Sequence, residues 1–129
     1  MSDRTRIPPL SPFEEEVGFT RAIRVENRII VSGTVGVAAD GSVPPDAGAQ
    51  ADLAFADIIR HIETLGGTAR DVVRVRMFVT DITDADAVSA AFSRALKPVR
   101  PTGTLVAVTA LYNPGWKVEI EAEAVVSAD

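Results

Sequence analysis

"VVRVRMFVTDITDADAV", residues 72–88, changes its apolar rhythm partway along, and that change decides the fold. Over the first eight residues the period is two. Val73, Val75, Met77 and Val79 fall on one face, with Arg74, Arg76 and Phe78 on the other, as side chains alternate along a strand. From Thr83 or Asp84 the period lengthens, predicting a helix to about Leu96 with Val88, Ala91, Phe92 and Ala95 inward. A strand that passes directly into a helix is half of a strand–helix–strand crossover.

The same unit recurs upstream. Ala51, Phe55, Ile58, Ile62 and Leu65 make one apolar stripe and predict a helix over Ala47–Leu65. Asp46 stands at its N-cap, and Gly66 and Gly67 close it. Before it, "AADGSVPPDAG" is a loop by composition, and two β-rich runs, Phe19–Val25 and Arg28–Val37, meet at "ENR" in a hairpin. Downstream lie a strand over Thr104–Ala110, a "YNPG" turn, and the strand "KVEIEAEAVV". The predicted order is β-β-α-β-α-β-β in one domain over residues 1–129, with the polar, proline-broken residues 1–16 as an extended segment. The expected class is α+β: a mixed sheet with both helices on one face and antiparallel hairpins at each end. The opposite face then needs water or a partner, which favours a homo-oligomer.

Charge and composition narrow the function. The formal net charge is −5 with no block of basic residues, and aromatic residues are few, so nucleic acid is a poor partner. The absence of cysteine removes disulfides and thiolate chemistry. The N-terminus carries no apolar signal-peptide core and no apolar run is long enough for a membrane span, so the expectation is a soluble, cytoplasmic protein. "GGT" closes a helix and "SGTVG" lies in a strand, so neither is a nucleotide-binding loop.

Two features draw attention as chemistry. His61, the single histidine, rules out a multi-histidine metal site and reads first as a partly packed helix residue. Glu119, Glu121 and Glu123 share one strand face, where they repel one another unless offset. Pairing with Arg74 and Arg76 on a solvated or interface surface accounts for the ladder; the chemical alternative is a carboxylate buried at an interface as general base. No metal or cofactor is implied. Tyr112 and Trp116 flank a turn and read as packing or rim residues.

Taken together, "VENRIIVSGTVGV", "AQADLAFADI", "DVVRVRMFVTDITDADAV", "RPT" and "KVEIEAEAV" resemble the RidA/YjgF family of reactive imine and enamine deaminases, from about Val17 to Val126. The resemblance implies a chorismate-mutase-like fold, a homotrimer, and small-molecule clefts between subunits. In deaminating relatives an arginine two residues after the proline of "RPT" holds the substrate carboxylate while water attacks the C=N carbon. Here that position is Gly103. Ser32 and the adjoining Gly33 match the "SG" position, Phe19 replaces a tyrosine, Ser89 an asparagine, and Ala107 a frequent glutamate. By the same resemblance Glu121 is the acid/base candidate on the last strand, with Ser32 and a cleft-lining loop Thr102, Gly103, Thr104 as ligand-binding groups. Arg100 lies three residues from Gly103 and, along extended backbone, points to the opposite face, so it is not expected to replace the missing clamp. The expected function is action on an imine, enamine or carbonyl metabolite without efficient 2-aminoacrylate deamination. The alternative is a non-catalytic metabolite-binding or regulatory trimer; a ribonuclease or translation-inhibitor role fits the acidic chain less well.

Overall fold

The computed structural model of the chain describes residues 3–127. Six strands form one sheet in the order β1-β2-β3-β6-β4-β5. They are β1 (Arg4–Arg6), β2 (Ala22–Val25), β3 (Arg28–Val35), β4 (Val72–Val79), β5 (Thr102–Ala107) and β6 (Val118–Val125). The helices are α1 (Pro12–Val17), α2 (Ala47–Thr64) and α3 (Ala85–Leu96). Only β4 and β5 pair in parallel; every other neighbour is antiparallel.

The α+β class and the core order hold, with differences at both ends. Residues 1–16 were expected to be extended, yet β1 and α1 form there. The local signals explain α1: Ser11 at the N-cap, Pro12 in the first turn, Glu14 and Glu15 following, and Gly18 left-handed at φ 98° as the stop. The expected hairpin at the other end is absent. β6 instead inserts between β3 and β4, where pairing on both sides lets Val118, Ile120, Ala122 and Ala124 all be buried.

α2 and α3 cover one sheet face and supply Phe55, Ile58, Ile62, Val88 and Leu96 to the core. Asp46 caps α2 as expected, its Oδ1 accepting from the Ala49 amide at 3.1 Å. Gly66, at φ 92°, turns the chain beyond it. In β4 the register slips between Val72 and Arg74, so Val72 is buried and Val73, expected inward, is exposed. β5 begins at Thr102 and ends at Ala107, displaced from the expected Thr104–Ala110. Among the described residues no helix is long and apolar enough to cross a membrane.

A second bulge sits in β3. Val31 faces Ala122 but Thr34 faces Ile120, so three steps on β3 answer two on β6. The extra residue restores the buried face at Thr34 and leaves Ser32 and Gly33 outside regular pairing.

Candidate functional site

The β3 bulge forms the floor of a cavity of about 650 Å³. Ser32, Gly33, Thr34 and Val35 line it from β3, Arg21 from the approach to β2, and Asp57, Arg60 and His61 from α2. Phe13 of α1, Phe19, Tyr112 and Trp116 complete it, with Glu119 of β6.

Its apolar wall is a chain of aromatic rings. Phe13 meets Phe19 edge-on at 5.8 Å between centroids and Tyr112 at 5.7 Å, and Tyr112 lies 6.4 Å from Trp116. Two distant segments, residues 13–19 and 112–116, therefore build one surface. Buried Gln50 braces the Trp116 end: its Nε2 donates to the Pro44 and Gly115 carbonyls at 2.8 and 3.1 Å, and its Oε1 accepts from the Lys117 amide at 2.8 Å.

Glu14 anchors the α1 side. This buried carboxylate accepts from the Leu10 amide at 3.2 Å and the Ser11 hydroxyl at 3.0 Å, and pairs with Arg21 Nε at 3.1 Å. Burial pushes its pKa up, but the Leu10 amide, Arg21 and Ser11 together outweigh burial and hold it below the ordinary value. His61 is also buried; desolvation lowers its pKa, and the Arg21 and Arg60 charges add to this against the opposing Asp57.

The glutamate ladder divides along its length. Glu123 lies against Arg28 at 3.2 Å and within 3.9 Å of Arg74 and Arg76, and Glu121 pairs with Arg76 at 3.4 Å. Glu119 is flanked across the strands by Val35 and Phe78 and has no ion-pair partner among the described residues. Burial raises its pKa, and the charge of Glu121 adds to the rise. Its carboxylate lies over Gly33: a Cβ at that glycine would overlap Glu119 Oε2. The bulge glycine thus makes room for the one cleft carboxylate that carries no cation.

Of the residues singled out from sequence, Phe19, Ser32 and Gly33 line this cavity and Glu121 does not. The Ser32 hydroxyl donates to the Thr20 carbonyl at 2.6 Å, so it offers a ligand its lone pairs rather than its proton. Ser89 is exposed on α3. Thr102, Gly103 and Thr104 belong to edge strand β5 rather than to a loop, and Gly103 faces Phe92 of α3, outside this cavity. Arg100 takes the left-handed conformation at φ 56° and its amide donates to the Leu96 carbonyl at 3.2 Å, which ends α3. Sequence reasoning did not select Glu119, Arg21, Phe13 or His61 for the site. The Ser11-Pro12 and Gly18 signals could have placed Phe13 on a helix, but no local pattern reports which rung of the ladder meets the bulge.

Relatives agree with this architecture. Rv2704 of Mycobacterium tuberculosis, described as a member of the YjgF/YER057c/UK114 family, superposes with a TM-score of 0.89 at 39% identity, covering 96% of this chain and all of that one. The YjgF gene product of E. coli gives 0.76 at 32% identity over 83% of this chain and 87% of its own. An uncharacterized protein of Streptomyces coelicolor, SCO2049, is 33% identical over 92% of this chain and 90% of its length. The family model described as Endoribonuclease L-PSP matches residues 11–126. With that match spanning nearly the whole chain, the protein belongs to the YjgF/RidA family.

Proposed function

We propose that the chain acts as a cytoplasmic homotrimer whose cleft, completed by a neighbouring copy, binds a small imine, enamine or carbonyl compound and hydrolyses it or moves a proton on it. The observation that carries this reading is Glu119, a cation-free carboxylate with a raised pKa beside an aromatic wall. The general-base role assigned to Glu121 by resemblance therefore passes to Glu119. For an imine, Glu119 takes a proton from water as its oxygen adds to the C=N carbon and passes it to the nitrogen, giving a carbinolamine; Glu119 then moves the carbinolamine hydroxyl proton to the nitrogen as the C–N bond breaks, so that ammonia leaves a carbonyl. Ser32 Oγ accepts from the substrate N–H.

The sheet face away from α2 and α3 supports assembly. It presents Ile30, exposed at 41%, and Val106, at 42%, among the paired arginines and glutamates. In a trimer the β5 edge of one copy would bring Thr102, Gly103 and Thr104 toward a neighbour's cleft. Gly103 then leaves no guanidinium where a small imino acid needs one, which disfavours 2-aminoacrylate. The acidic net charge, with the sheet arginines already paired, weighs against ribonuclease action.

The test is decay of imines generated in situ, with and without the protein. Slow turnover of 2-aminoacrylate, faster turnover of a bulkier imine, and a gain on 2-aminoacrylate for Gly103→Arg are expected. A Cβ at Gly103 meets Phe92 at 3.8 Å, an ordinary contact, so the backbone accepts a side chain there. Binding without turnover of any imine would make the protein a metabolite carrier. Rapid turnover of 2-aminoacrylate by the unaltered chain would refute the argument from Gly103.

A further inference from the structure

We infer that Arg21 is the anion-recognising residue of the cleft and selects an apolar-tailed monocarboxylate, its acid group on the Arg21 guanidinium and its tail on the aromatic wall. The inference rests on the reading of the cavity as a small-molecule cleft and names its ligand chemistry.

Arginine has five N–H donors in a planar fork. Arg21 is ion-paired to Glu14, with Nε at 3.1 Å, and among the described residues neither Nη makes a hydrogen bond. The Glu14 carboxylate is occupied from other directions by the Leu10 amide and the Ser11 hydroxyl. This arrangement fixes the guanidinium without covering its outer edge, the edge a carboxylate engages bidentately. The side chain is 28% exposed, so its head is restrained yet reachable from the cleft.

The other charges on the cavity wall are already answered or oppose an anion weakly. Arg60 pairs with Asp57 one turn before it on α2, and 63% of its side chain is exposed. His61 is buried with a lowered pKa, so it stands neutral near pH 7. Glu119 opposes an acid group, but it lines the cavity from β6, with β3 between it and Arg21 just before β2. Arg21 is thus the cation of the cleft that a buried carboxylate holds in place, whereas Arg60 is mostly in solvent. Phe13, Phe19, Tyr112 and Trp116 continue the surface and offer a phenyl-sized tail its contact.

The experiment is an NMR titration of the full chain with 3-phenylpropanoate and, separately, with the neutral 3-phenylpropanamide. The acid is expected to bind more tightly than the amide and to shift the Arg21 Nε–H resonance. Arg21→Gln should weaken acid binding at least about 10-fold and leave the amide unchanged, as loss of a bidentate charged pair implies. Arg94→Gln, outside the cavity on α3, should leave both unchanged. If Arg21→Gln fails to fold for want of the Glu14 pair, the Arg21 resonance in the unaltered protein still decides. Equal binding of acid and amide, or a silent Arg21 resonance, would overturn the inference while preserving the cleft. Failure of both probes to bind would remove the cleft reading and the inference together.

Discussion

Glu119 and Glu121 stand two residues apart on the same face of the same strand, yet their surroundings have little in common. Arg76 answers Glu121 across the sheet, whereas Val35 and Phe78 flank Glu119 above a glycine that leaves it space. Strand alternation sets the face of a side chain; the cross-strand neighbours and the bulge set its chemistry. A carboxylate ladder is therefore three local problems rather than one motif.

The sharpest way to break this contrast is to neutralise each carboxylate in turn. Glu119→Gln should lower imine turnover by about 100-fold, whereas Glu121→Gln, which removes an exposed ion pair, should change it less than about threefold. Equal losses would dissolve the distinction. The same variant carries a thermal test. The folded-state pKa of Glu119 is raised, so its protonated form contributes stability that is present below the unfolded value of about 4.3 and lost as pH rises through the folded value. Glu119→Gln should thus melt higher than the parent at pH 7, with the difference vanishing near pH 4.

A smaller effect is expected from below the carboxylate. Gly33→Ala places a methyl where Glu119 Oε2 lies, and that atom ends a flexible side chain, so it moves and the fold persists. Turnover should fall at least about 10-fold from the displaced base, with a stability loss of roughly 1 kcal/mol. An alanine variant with full activity would show that the position of Glu119 is immaterial. The smallest change belongs to the far edge of the sheet. Arg100→Gly relieves a left-handed non-glycine residue and should raise stability by up to about 1 kcal/mol while leaving turnover intact. A loss of turnover there would return Arg100 to the site.

These contrasts also mark what the sequence could convey. The stripe through Phe55, Ile58 and Ile62 and the alternation through Val75, Met77 and Val79 reported α2 and β4, because burial on one face is a local, periodic signal. Cap residues reported the limits of α2 equally well. The insertion of β6 between β3 and β4 was not legible, since strand order depends on contacts between distant segments. The site suffered most. Phe13, Phe19, Tyr112 and Trp116 meet only through the fold, and the one-residue slip in β3 that seats Glu119 leaves no periodic trace. Resemblance named Ser32 and Phe19, which line the cavity, and Glu121, which does not.

The attachment of α1 has an evolutionary consequence. Phe13 on a short helix, and Leu10 just before it, reach the cavity, fixed through Glu14 to Arg21, while the main core is built by α2, α3 and the sheet. Substitutions at residues 10 and 13 can reshape the ligand's surroundings with little penalty to folding. The N-terminal helix is an exchangeable facing on a frame whose core it does not build, and drift in it would diversify ligands among descendants of this chain faster than drift in the sheet.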